Sequence, residues 1–354
     1  MPKHGMLVRI SFVLAAAAVL ASVAVGTAGA AHKTRSAVAI KGAGSSFVAP
    51  LVTSWINPVS SALGISLSYN PVGSGGGVSA ITTRGVDFGA SDAPLTQFSP
   101  TCTTCVQIPW ALAATAVVYN LPGLQFLKLT GTTLANIYLG KIKSWDDPAI
   151  KKLNPGRNLP NKAITTVHRS DSSGTTYNFT DYLSHVSHAW TTAGGGPGTG
   201  TSVSWPALGI GGNHSSGMAA AVKSTPGAIG YVDVDYAIVN HLGYAKMRNK
   251  SGKYVVPRLK GILAAAQLDT HPAKDGSLSI VNPPKSHKYR NAYPISTYTY
   301  VDVQKSSGAN AATIKKLINW AITKGQSYGP KLFFAPLPKA VVTFDKKQIQ
   351  KIHS

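Results

Sequence analysis

An α/β architecture in about two domains is the fold class the sequence predicts. Short apolar or β-branched runs alternate with stretches of helical spacing along the chain. The length, 354 residues, exceeds one ordinary core. Hydrophobic residues make up 44% of the chain, enough to bury a sizeable interior. Charged residues are only 13%, so the surface must be rich in Ser, Thr, Asn and Gly.

In chain order, the first segment reads as an export signal. Lys3, His4 and Arg9 precede an apolar run over 10–25, and small residues follow, with Ala28-Gly29-Ala30 the favoured cleavage site. A membrane anchor is the competing reading, but the run is short for a span and its flank suits cleavage. A signal peptide is therefore expected over 1–30 and a short basic leader over 31–36. Strands are expected at 65–69, 116–119, 164–168, 228–234 and 296–303, where β-branched and aromatic residues cluster. Helices are expected at 48–56, 132–138, 177–183, 218–222 and 311–323. The glycine-rich stretches 193–200 and 209–212 read as loops. No tandem repeat is visible.

The formal net charge is +22, and all twelve acidic residues are Asp. A field of that sign attracts anions: phosphate, polyphosphate, nucleic acid or an acidic cell-surface polymer. Solubility or adaptation to an acidic medium is the plainer explanation of the excess, so charge alone names no ligand. The two cysteines, Cys102 and Cys105, lie in a Thr-rich stretch. Zinc would need two more strong ligands, and redox pairs usually open a helix after a strand. In an exported chain, a small local disulfide is the better expectation.

Three places share one grammar: glycine and small hydroxylated residues, then a helix. They are GAGSSFVAP at 42–50, GSGGGVSAI at 73–81 and RSDSSGTTYNF at 169–179. Pro50 fits a first helical turn, where its missing N–H costs nothing. Each start offers backbone N–H groups, a hydroxyl and the positive end of a helix dipole. Ser, Thr and Gly also cap helices everywhere, so one such start says little; three in one chain say more. The third carries Arg169, whose planar fork suits an oxoanion, with Asp171 placed to hold it. A plain surface ion pair is the alternative.

Asp87 and Asp92 frame a strand-to-turn segment, VDFGASDAPL at 86–95. A carboxylate among anion-binding donors makes sense if the anion carries a proton. Monohydrogen phosphate can donate that proton; sulfate has none at neutral pH and would face acceptor with acceptor. The plainer reading of Asp92 is a turn residue bonding its own backbone.

At these residues the chain resembles the periplasmic phosphate-binding proteins of bacterial phosphate ABC transporters, the PstS family. Further matching stretches are LANIYLGKIKSWDDPAIKKLNPG at 134–156, HRSDSSGTTYNFTDYL at 168–183 and TPGAIGYVDVDYA at 225–237. Together they cover most of the mature chain in the family's order, and the segments at 297–301 and 337–342 match more loosely. The resemblance implies a two-lobed periplasmic-binding-protein (Venus-flytrap) α/β fold, type II-like, with a hinge and phosphate buried in the cleft. Lobe I would hold 37–113 and 294–354, lobe II 114–293, with the hinge near 112–115 and 293–297. It also implies the ligand set. Ser46 supplies a hydroxyl, Phe47 its N–H, and Ser74 hydroxyl and N–H. Asp92 accepts the phosphate proton, Arg169 donates its guanidinium, and Ser173, Gly174 and Thr175 line the second lobe's helix start. The implied partners are inorganic phosphate and the permease subunits of an ABC transporter, outside the cytoplasm. A monomer without cofactor, metal or specific nucleic acid is expected. The CTTC segment, the Glu-free composition and the lack of a lipidation cysteine depart from the family pattern and leave retention at the cell surface unexplained.

Two rivals belong to other classes. A phosphatase-like enzyme would need a nucleophile with its base, or a metal cluster. The ten His include no HExxH, and His185 and His188 read as a polar helix face. His168 beside Arg169 reads as a strand-end residue or a cleft contact. A secreted polyanion-binding protein would favour clustered Lys/Arg with interleaved aromatics, whereas the basic residues here are spread out.

Overall fold

A computed structural model describes residues 37–354. The export segment expected over 1–30 and the leader over 31–36 lie outside the described residues. In chain order the elements are β1 (Val38–Gly44), α1 (Ala49–Leu63), β2 (Ile65–Asn70), α2 (Gly73–Thr82), β3 (Phe88–Ser91) and β4 (Cys105–Tyr119). Then follow β5 (Lys128–Leu129), α3 (Gly131–Tyr138), α4 (Pro148–Leu153), β6 (Thr165–Arg169), α5 (Gly174–Val186), β7 (Gly209–Gly212), α6 (His214–Ser224) and β8 (Ala228–Asp233). The rest are α7 (Val234–Val239), β9 (Gly243–Tyr244), β10 (Lys246–Arg248), β11 (Tyr254–Val255), α8 (Leu259–Ala266), β12 (Ser296–Gln304), α9 (Ala311–Ala321) and α10 (Lys339–Ile349).

One sheet runs in the order β2-β1-β3-β12-β4-β8-β6-β7, with β9 added on β4. Its two wings are parallel: β1 with β2 and β3, and β6 with β7 and β8. The centre is antiparallel. Cys105 to Ala114 of β4 pair with β12, and Thr115 to Tyr119 pair with β8. Strand β4 therefore serves both wings and is buried along its whole length. Opposite Pro109 the register slips at Thr299/Tyr300, as expected where a proline removes a ladder donor. At the handover, the Thr115 N–H donates to the Ile295 carbonyl at 2.8 Å. The Tyr293 hydroxyl donates to the Thr115 carbonyl at 3.0 Å, and the Thr115 hydroxyl to Asn178 of α5 at 2.7 Å.

Local chemistry sets these elements. Pro50 lies in the first turn of α1 and Gly64 ends it in the left-handed region, φ 64°. Leu51, Trp55 and Val59, spaced by four, face the core. Trp55 packs edge-on against Trp110 at 5.3 Å, and Phe88 meets Trp110 at 5.8 Å. In the other wing Phe179 stacks on Tyr231 at 4.3 Å. Among the described residues, no helix is long and apolar enough to cross a membrane.

The structure corrects the sequence expectation in two places. Gly209–Gly212 is a strand, not a loop, paired in parallel with β6. Glycine is needed there because a Cβ on Gly212 would lie 2.8 Å from Met218 Cα, so β7 and α6 could not pack. And β4 begins at Cys105, eleven residues before the expected start, because its Ala- and Pro-containing first half lacks strand periodicity. Cys102 and Cys105 are joined by a disulfide, with Cα atoms 5.4 Å apart.

Three carboxyls of the core, on Asp233, Asp302 and Asp345, are fully or almost fully buried, with no hydrogen-bond partner for either oxygen. Burial pushes Asp345 up to about 9 and the other two well above the usual carboxylate range. A folded-state pKa raised above the unfolded one contributes stability in full below about pH 4. That contribution is lost as pH rises toward the folded value. Asp345→Asn should therefore raise the melting temperature at pH 8 and leave it nearly unchanged at pH 4. Thermal unfolding at both pH values checks this, and an equal shift at the two would refute it.

Candidate functional site

Strands β1, β2, β3, β6 and β7 end on one crevice, where α1, α2, α5 and α6 begin. Carboxyl ends of parallel strands are where ligands collect in open α/β sheets, because helix starts point their N–H groups there. The residues expected from the sequence meet here. Ser46, Ser74, Asp92, Arg169, Ser173 and Thr175 are all buried, together with Phe47 and Gly174.

Asp92, in the turn after β3, is the centre. The Ser45 hydroxyl donates to its two oxygens at 2.6 and 2.7 Å. Ser74 of α2 and Thr175 of α5 approach one oxygen at 3.4 Å each. Burial raises Asp92 to about 6, against the Ser45 bond, the Arg169 charge and the Thr175 and Ser74 hydroxyls. Arg169 ends β6, with 6% of its surface exposed. Its Nε donates to Asp171 at 2.6 Å and its Nη2 to the other oxygen of the same carboxylate. Burial acts to raise Asp171, but Arg169 and the His214 N–H more than offset it and hold the carboxyl low. The planar fork is thus held in place by a fixed partner, while its charge acts on Asp92.

The crevice is closed across its two sides. The Ser46 hydroxyl lies 2.9 Å from Ser215 Oγ and accepts the Ser215 N–H at 2.9 Å. The Gly75 N–H donates to the Ser172 carbonyl at 3.0 Å. Ser173 caps α5 by accepting the Thr176 N–H at 3.2 Å. Gly174 lets α5 press onto the turn: a Cβ there would lie 2.6 Å from Asp92 N. On the far side of Asp92 a cavity of about 430 Å³ opens, lined among others by Asn178, Asp181, Asp269 and Thr297. Its added carboxylates disfavour an anion there.

Several contributors escaped the sequence reading. Ser45 neighbours the expected Ser46, and nothing in the pair says which turns to Asp92. Ser215 belongs to a fourth helix start, NHSSG at 213–217, hidden because the glycines before it read as a loop. The Tyr231 hydroxyl accepts the Arg169 N–H at 3.1 Å and lies 2.7 Å from Thr176 Oγ1. His168 stacks on Trp205 at 5.1 Å, as strand alternation from Arg169 requires. The His185 ring nitrogen meets the Asp181 carbonyl of its own helix at 2.8 Å.

This architecture is that of a two-lobed solute-binding protein. A family model described as a PBP superfamily domain matches residues 28–324. The phosphate-binding protein PstS of Xylella fastidiosa (strain 9a5c) is 39% identical over 325 residues, covering 90% of this chain and 86% of the relative. That of Pasteurella multocida is 38% identical, covering 87% and 89%. Among solved structures, a high-affinity periplasmic phosphate-binding protein bound with phosphate superposes with a TM-score of 0.70 at 21% identity, covering 88% of this chain and 93% of that one. A phosphate-binding protein from Stenotrophomonas maltophilia gives 0.68 at 21% identity, covering 88% and 93%. The chain belongs to the PBP superfamily and, within it, to the PstS phosphate-binding proteins.

Gly174→Val should keep the two sides of the crevice from meeting, at a cost to the closed form of about 1–3 kcal/mol. Small-angle scattering should then report a larger radius of gyration than for the unsubstituted chain. An unchanged profile would show that this contact does not govern closure.

Proposed function

We propose that the protein captures inorganic phosphate in the closed crevice and delivers it to an ABC-type phosphate permease. The observation that carries this reading is the juxtaposition of one buried, hydrogen-bonded carboxylate, Asp92, with one buried guanidinium, Arg169, among helix starts. A bare dianion would suit the donors but not the carboxylate; a protonated oxoanion suits both. Ser46, Phe47, Ser74, Asp92, Arg169, Ser173, Gly174 and Thr175 form the ligand set in this reading. Arg169 and the helix starts supply charge and N–H groups, and Asp92 accepts the ligand's proton.

Two lobes, 37–113 with 294–354 and 114–293, turn about the handover at Thr115 and Ile295. That two chain crossings bonded to each other lie there supports the division. Phosphate favours closure only through contacts that the closed form makes better. The chain acts by binding and release as an exported monomer with a cleaved signal peptide, and no chemical step is assigned to it. Its basic surface raises the encounter rate with anions at low salt.

Arg169→Ala should weaken phosphate binding by about 2–4 kcal/mol, since a charged donor in a dry cleft is lost and Asp171 is left unpaired. Calorimetric titration measures this, and an unchanged affinity would remove Arg169 from the site. Asp92→Asn should let sulfate gain more than arsenate, because the amide can donate where the carboxylate only accepted. Competition titrations check it; continued exclusion of sulfate would overturn the proton-acceptor role.

A further inference from the structure

Ser45 is the closest neighbour of the Asp92 carboxylate and lies outside the ligand set proposed above. It is fully buried. Its N–H donates to the Ala90 carbonyl at 2.8 Å, and its carbonyl accepts the Tyr69 hydroxyl at 2.8 Å. Its hydroxyl oxygen accepts the N–H groups of Phe47 at 3.1 Å and Val48 at 3.3 Å. The hydroxyl hydrogen is shared between the two Asp92 oxygens at 2.6 and 2.7 Å. A serine hydroxyl has one hydrogen and two lone pairs, and here all three are in use. Ser45 therefore has nothing left to offer a bound anion. Ser74 and Thr175, at 3.4 Å, make weak bonds to Asp92 and are free to swing to a ligand.

Resting on the reading of the crevice as a phosphate site, we propose that Ser45 is the positioning residue of that site. It orients the Asp92 carboxylate and keeps it an ionised acceptor for the proton of phosphate. Two physical effects combine. Val48 at the start of α1, joined by Phe47 until its N–H turns to the ligand, polarises the hydroxyl it donates to, which strengthens the hydrogen that hydroxyl passes on. Hydroxyl-to-carboxylate bonds of this length are among the strong ones and favour the charged form.

The surroundings make such help necessary. Arg169 at the end of β6 favours the ionised carboxylate. Asp302 on β12 and Asp233 at the end of β8, both buried, and the half-buried Tyr69 on β2 couple to Asp92. Tyr177 and Asp181 of α5, with Asp269 and His271, line the cavity beyond it. Burial leaves Asp92 at about 6 even with the Ser45 bond in place. Without that bond the carboxyl would hold its proton to higher pH and present a donor where the ligand also donates.

The test is calorimetric titration of unsubstituted and Ser45→Ala protein with inorganic phosphate at pH 5, 6.5 and 8. Taking the ratio of the two affinities cancels the ionisation of phosphate itself. At pH 5 the variant should bind about tenfold or more weakly, the worth of a hydrogen bond to a charged group. The ratio should close to within about threefold at pH 8, where Asp92 is ionised in both. A ratio that stays constant with pH, or equal binding throughout, would overturn the proposal. Failure of the unsubstituted protein to bind phosphate at any pH would instead refute the functional reading beneath it. Should the variant not fold, combined ¹H and carboxyl ¹³C NMR of the unsubstituted protein gives a second reading. The Ser45 hydroxyl proton should shift with the midpoint of the Asp92 titration, and independence of the two would count against the coupling.

Discussion

A single ionised carboxylate buried among hydrogen-bond donors is the interaction on which the rest of this structure depends. Removing Asp92 from water disfavours its charge, and the surrounding fold must offset that penalty. It does so with Ser45, Ser74 and Thr175 hydroxyls and the nearby Arg169. Those groups come from the turn after β1 and from α2, α5 and β6, so both wings of the sheet must be in place. The site is thus a property of the folded molecule and not of any one segment.

The guanidinium presents the reverse problem. Arg169 is almost fully buried, and an unpaired buried charge is strongly destabilising. Asp171 answers it locally, two residues on, while itself held by the His214 N–H at 3.1 Å. Carboxylate and guanidinium are kept apart by giving each its own partners, Ser45 for one and Asp171 for the other. A pair directly bonded to each other would leave less of either for a ligand. In the proposed reading, acceptor and donor stand ready for a guest that brings both a proton and negative oxygens.

In the proposed capture cycle, the scaffold is what lets this arrangement open and close. Strand β4 hands over from β12 to β8 between Ala114 and Thr115, and the returning chain crosses at the same level. Few residues need to rotate there for the wings to move. The contacts that such opening would break are small and polar: Ser46 with Ser215, Gly75 with Ser172, Gly174 against the Asp92 turn. Such contacts are replaced by water at modest cost, which suits reversible capture.

Much was legible in the amino-acid order alone. The α/β alternation, four of the five expected strands near their limits, and the three Ser/Gly helix starts follow from local periodicity and capping chemistry. The pairing of Arg169 with Asp171 is also local, two residues apart. Four features were not legible: β7 as a strand, the long first half of β4, the α6 start at His214, and the choice of Ser45 over Ser46 as the partner of Asp92. Each depends on a neighbour far along the chain. Glycines in β7 are strand residues because β6, far earlier in the chain, pairs with them. Ser45 and Ser46 are chemically identical, and only the folded backbone turns one toward residue 92 and the other toward residue 215. The chain's own order supplied which groups could bind a protonated anion; the tertiary structure decided which of them meet, because their facing directions are set by packing between distant segments.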